Sequence, residues 1–239
     1  MMGKVIMSGI VPPLVAPVTG ILAGDLAVGS SVYLMENGVA VEYLVVNQGI
    51  PSGSSLYDAS CDGTWLLRKD IIEKRAWEAD NVNKLESSDI HSWLNSTMLA
   101  KYDTNIQNTI KQVKIPYRKN GGSGGTNQSG ANGLSCKVFL LSGYEVGGSS
   151  SSMSVDGAIL SYFSEEDNTK RIAYFDGSAT HWYTRSPLTN STYSVWLVVN
   201  NGSFNGGSYC SLSQGVRPAL VLPSNALFDQ NTLILKGVA

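Results

Sequence analysis

Three cysteines and two histidines are the scarcest reactive side chains in this 239-residue sequence. Cys61, Cys136 and Cys210 are widely spaced and odd in number, and with His91 and His181 they build no zinc-ligand spacing. That pattern fits folding in reducing surroundings without a disulfide framework. Gly121-Gly122-Ser123-Gly124-Gly125 spells the G-x-S-x-G elbow, whose serine needs a strand before it and a helix after it. Here the letters fall inside a linker-like run, so they read as composition. His91 and His181 read as structural or surface imidazoles. Asp58 and Asp62 flank a Gly-containing loop, but calcium takes six to eight oxygens and no dense Asp/Asn/Glu array surrounds them. They read as turn formers, and Glu165-Glu166-Asp167 as a solvated bend. No phosphate loop and no H-E-x-x-H occurs. These residues imply no catalytic group, no metal and no cofactor.

What must be positioned is therefore a surface. Between Arg185 and Arg217 not one residue is charged, where a chain with 15% charged residues would place about four or five. Residues 186–216 are rich in Asn, Ser, Gly, Thr and aromatics instead. Tyr and Trp give contact area at low entropic cost, and Ser, Gly and Asn give adaptable hydrogen bonds, the mixture used by antibody loops. Trp182, Tyr193, Asn200, Asn201, Phe204, Asn205, Ser208 and Tyr209 are the expected ligand contacts, and Trp196 also could border the surface. The net charge of -2 leaves no excess of Lys and Arg for a phosphate-neutralising surface, which argues against nucleic acid.

The elements around this stretch are short. Apolar content of 43% is ample for a core, while Gly, Ser and Asn make up nearly a third of the chain and favour long loops. Asn37-Gly38 between the runs 31–36 and 39–46 predicts a β-hairpin. Ile90, Trp93, Leu94 and Met98 form one stripe of a helix with a Ser N-cap at 87–88 and Asp89 in its first turn. A second helix is expected from Asp103 or Thr104, with Ile106, Ile110 and Val113 on one face, ending before Pro116. Residues 120–133 read as a flexible loop unable to build a core. Short strands are expected at 137–141, 171–175, 181–185, 195–199, 216–222 and 233–236, with a helical turn near 158–163. The fold class is α+β.

Residues 1–23 read as an apolar arm. Lys4 and the apolar run to Val18 imitate a signal peptide loosely, but Pro12, Pro13 and Pro17 interrupt it, and no uncharged Pro-free stretch is long enough for a membrane span. An arm this apolar should pack on its own domain or a neighbouring subunit.

Trp182-Tyr183-Thr184-Arg185-Ser186-Pro187, followed by Gly215-Val216-Arg217-Pro218-Ala219-Leu220, resembles a family with a C-type-lectin-like fold found in gut bacteria and their prophages. Ser92-Trp93-Leu94-Asn95, Ile115-Pro116-Tyr117-Arg118 and Val138-Phe139-Leu140-Leu141-Ser142 extend the resemblance over about residues 24–223. The ending is also similar to the variable proteins of diversity-generating retroelements, in which adenine-directed mutagenesis turns Asn codons into Ser, Tyr, Thr, Gly, Cys, Phe, His or Asp. The resemblance implies a lectin-like domain over 24–239 with a candidate variable region at 186–216, and Arg185 and Arg217 as structural supports that bond loop carbonyls. It also implies a phage or prophage tail-associated, receptor-binding protein, in the virion or in the bacterial cytoplasm before assembly. Its partners would be a host-surface protein or glycan and other particle proteins, in a homo-oligomer, a trimer by analogy with phage fibres, joined through the arm. The E-P-N, Q-P-D and W-N-D calcium signatures of sugar-binding lectins are missing, and the sulfatase-activating relatives' cysteine pair is reduced to Cys210. A structural virion protein with a decorative lectin-like domain, or a hydrolase, are the other expectations left open.

Overall fold

The computed structural model describes residues 20–238, residue 166 aside. Most of the arm, residues 1–19, lies outside the described residues. Its last residues join the fold: Ile21–Leu22 pairs antiparallel with Ala226–Phe228, which also pairs with Leu235–Val238.

The architecture is α+β, with two five-stranded sheets as its frame. The first contains β1 (Ser31–Glu36), β2 (Val39–Gln48) and β3 (Thr64–Arg68). Asn37 (φ 50°) and Gly38 (φ 78°) both take left-handed backbone, the requirement of the tight turn that matches strand twist. Glu36 thus faces Val39, and Val32 and Leu34 alternate inward. After the short strand β4 (Glu73–Arg75) comes α1 (Asp89–Trp93), continued by a π-helical turn at Leu94–Met98. Ser88 accepts the His91 N–H (3.2 Å) as N-cap, and Ile90, Trp93, Leu94 and Met98 are all buried. Helix α2 (Thr104–Thr109) is shorter than its apolar spacing implies. Ile106 and Ile110 are buried as expected, but Val113 belongs to a strand, Val113–Ile115, paired with Leu134–Cys136. The Lys111 N–H bonds the Val221 carbonyl (2.9 Å), so the chain leaves the helix to meet a strand.

The remaining frame strands are β5 (Val138–Phe139), β6 (Trp182–Pro187), β7 (Ser194–Val198), β8 (Phe204–Tyr209), β9 (Gln214–Val216) and β10 (Ala219–Leu222). The first sheet runs β5-β10-β3-β2-β1 and the second β8-β7-β6-β9-β4. Two apolar clusters fill the interior. One gathers Val32, Leu34, Trp77, the α1 stripe, Tyr183 and Val195; the other gathers Trp65, Phe139, Phe163, Trp182 and Val198.

The run 120–133 is not a free linker. Tyr117–Lys119 pairs with Thr126–Gln128, and Gly121 and Gly122 are buried. A Cβ at Gly122 would fall on the carbonyl oxygens of Leu188 and Ser191, so glycine is there to let two backbones touch. The segment after Ser123 is a strand rather than a helix, so the G-x-S-x-G letters form no elbow.

Candidate functional site

The uncharged stretch folds as a hairpin, β7 and β8, on the side of β6 away from β9. Its two ends present different surfaces. At the open end, Tyr193 and Tyr209 are 46% and 49% exposed, and their rings meet edge-to-face with centroids 5.3 Å apart. That arrangement lets the positive edge of one ring meet the negative face of the other while both rings stay half exposed. The Ser211 N–H bonds Asn81 Oδ1 (3.2 Å) and the Asn83 N–H bonds the Thr192 carbonyl (2.9 Å). These bonds bring the segment with Val82 alongside Leu212, and both of those side chains are exposed.

At the turn end, Asn200 and Asn201 are exposed. The Asn200 N–H bonds His181 Nδ1 (2.8 Å), and Asn201 Oδ1 accepts from the Ser203 N–H (3.0 Å) and hydroxyl (2.8 Å). Phe204 is half-buried under the Arg171 guanidinium, 4.9 Å from its ring centroid, and borders an open cleft of about 570 Å³. Ser149, Ile159, Phe163, Asn168 and Arg171 are among its other walls. Arg171 is buried and fully engaged: Nε donates to the Gly202 carbonyl (2.7 Å), Nη1 to that of Val146 (3.2 Å), and Nη2 to Asn168 Oδ1. It fastens the turn to the neighbouring loops.

The structure does not gather all eight expected contacts on one face. Trp182 is 0% exposed, its indole donating to the Arg171 carbonyl (2.9 Å); it is core and touches no ligand at the surface. Ser208 is only 6% exposed, because its side chain turns inward while Asn205 and Tyr209 point out. Asn205 Oδ1 accepts the Gly207 N–H (2.8 Å). Trp196 is half-buried, its indole bonding the Ser152 carbonyl (3.2 Å) and its ring lying against Gly206.

Both arginines are interior. Arg185 is 0% exposed and makes a two-pronged ion pair with Glu145, Nη1 to Oε2 at 2.5 Å and Nη2 to Oε1 at 2.6 Å. Its remaining donors reach the carbonyls of Pro116 (3.0 Å), Leu140 (2.9 Å) and Asp156 (2.6 Å). Burial opposes its charge, but the Glu145 carboxylate overrides that and holds the guanidinium above its usual range. Glu145 also accepts from the Tyr57 hydroxyl (2.8 Å) and the Ser142 N–H (2.8 Å). Asp156 accepts the Ser186 hydroxyl (2.7 Å), and burial pushes its carboxyl up to about 6 against the pull of Arg185. Arg217 donates to the Arg68 carbonyl (2.9 Å) and lies 5.1 Å over the Trp182 ring, and burial lowers it to about 10.

Glu145, Asp156, Arg171 and Asn83 support the hairpin without having been foreseen. Asn83 accepts the Gly122 N–H (3.0 Å) and donates to the carbonyls of Ser191 (3.0 Å) and Ser194 (2.7 Å), joining the glycine loop to the start of β7. The one available signal was that Glu145 is a lone carboxylate in an otherwise uncharged, partly apolar neighbourhood.

Asp58 caps a short helical turn, accepting the Ser60 N–H (2.9 Å), which is a turn-forming role. His91 is partly buried on α1, and burial lowers its pKa. The three thiols are buried, and burial pushes all of them up; Cys61 reaches about 11 and Cys210 about 12.

This frame, with its clamped hairpin, belongs to a recognised family. Residues 62–224 match the model of a domain of unknown function, DUF6273, and the chain is a member of that family. The match takes in both arginines, Glu145 and the whole hairpin. No curated protein and no solved structure matches the chain.

Proposed function

We propose that this protein is a non-enzymatic binding module with a C-type-lectin-like fold, and that the Tyr193–Tyr209 shelf is its principal contact surface. The observation that carries this reading is the pairing of opposites in one hairpin. Its surface is uncharged and aromatic, while β6, the strand it pairs with, is fixed by a fully buried Arg185–Glu145 pair. A rigid base lowers the ordering cost of binding, and exposed tyrosines supply area that a ligand can desolvate. Arg217, over the Trp182 ring, steadies the adjacent strand.

In this reading the protein is a phage or prophage tail-associated component that engages a host-surface protein or glycan through a diversifiable face, residues 186–216, and self-associates through its N-terminal arm. The shelf, Asn200, Asn201, Phe204 and Asn205 form the contact set. The test is binding of the labelled full chain to a panel of whole gut-bacterial cells and to a glycan array. Saturable binding to particular cells or glycans supports the module; silence across both overturns it in favour of a structural particle protein.

A further inference from the structure

The shelf and the cleft are the two ends of one exposed strand. β8 is the outer strand of its sheet and pairs only with β7. Among the described residues, no backbone group outside β7 bonds to the backbone of residues 204–208. The Val199 N–H to Ser203 carbonyl bond (2.9 Å) makes those residues a bonded pair, so antiparallel alternation turns the N–H and C=O of Phe204 outward. The Cys210 N–H to Tyr193 carbonyl bond (2.9 Å) turns the N–H of Tyr209 outward in the same way, while the Tyr209 carbonyl is taken by the Leu212 N–H (3.1 Å) and the Tyr183 hydroxyl (3.1 Å). Exposed edges are usually guarded by Lys, by Pro or by inward charges, and β8 has none of these. Its one irregularity is a register shift opposite Val195–Leu197, at Gly206-Gly207, where the Asn205 side chain takes the Gly207 N–H (2.8 Å) and leaves the flanking ends to a partner.

We propose that β8 is a docking edge for an extended, uncharged segment of a partner protein. Such a segment adds a strand beside Phe204–Tyr209, bonds the outward backbone groups at the two ends, sets one apolar side chain in the cleft against Phe204, and rests its other end on Tyr193 and Tyr209. Strand addition takes affinity from the main chain and specificity from pockets for alternate side chains. Five or six residues at about 3.3 Å each cover this strand. Neutrality selects the partner: residues 186–216 carry no charge to compensate one brought out of water, and the cleft's own charges are already engaged, Arg171 by two carbonyls and Asn168 and Glu165 by Lys170. This inference rests on the binding role proposed above and names the partner's chemistry.

The test pans a random heptapeptide phage library on the immobilised full chain, then titrates the strongest binder by calorimetry. The expected peptide lacks charged residues, loses at least tenfold in affinity when alternate amides are N-methylated in one register, and slows amide exchange at residues 204–209. A library without a binder, or a peptide that keeps its affinity when methylated in either register, overturns the docking edge. In that event, cell or glycan binding that is lost in Tyr193→Ala/Tyr209→Ala leaves the shelf standing as a side-chain site, so the two readings fail separately.

Discussion

Replacing Arg185 with Met removes the guanidinium that five hydrogen bonds hold in the interior. The largest consequence falls on Glu145, whose carboxylate is 0% exposed and would keep only the Tyr57 hydroxyl and the Ser142 N–H as donors. Breaking a buried pair by removing one partner costs about 3–5 kcal/mol, because the surviving charge stays out of water. The freed carbonyls of Pro116, Leu140 and Asp156 add to this, though contacts sharing one group do not sum. A domain of this size has about 5–15 kcal/mol in total, so Arg185→Met should unfold at far lower urea. Buried Trp65, Trp77 and Trp182 give a fluorescence signal for the titration. The double variant Arg185→Met/Glu145→Gln removes the stranded charge and should recover part of the loss. A loss below about 1 kcal/mol, or a double variant less stable than Arg185→Met, would refute the clamp.

Asp156 titrates near 6 in the fold against an ordinary 3.8, so its neutral form favours folding. Its contribution to the unfolding free energy should therefore decline by about 2–3 kcal/mol as pH rises from 4 to well above 6, and Asp156→Asn should remove that decline in urea titrations run across the range. Gly122→Ala should destabilise by several kcal/mol, because backbone oxygens block the methyl; Gly124→Ala, with left-handed backbone but open space, should cost only about 1 kcal/mol. By light scattering, the full chain should show a trimer mass and a chain lacking residues 1–19 a monomer. A monomer in both cases removes the role proposed for the arm.

The parts of the fold legible in the sequence were those set by local chemistry. Asn37-Gly38 announced its turn because few other residues accept left-handed backbone, and Ser88 with the Ile90–Met98 stripe announced α1. Val113 misled because burial alone does not tell a helix face from a strand; the Val221 carbonyl draws the chain out of the helix there. The glycine run 120–133 has the composition of a linker, and only tertiary contact with Leu188 and Ser191 reveals why Gly122 is glycine. The shelf was legible as an uncharged aromatic stretch. Trp182 was misplaced by the same signal, since an aromatic beside that stretch can equally be core. Glu145 and Asp156 were invisible as partners of Arg185 because the chain brings them together across about 40 and 30 residues.

The most direct measurement is a paired one on Tyr193→Ala/Tyr209→Ala: affinity for a cell type or glycan that retains the unmodified protein, together with urea stability. The two rings are half exposed, so the fold should lose no more than about 1 kcal/mol, while affinity should fall at least tenfold. Undiminished affinity in a folded double variant would contradict the assignment of this face.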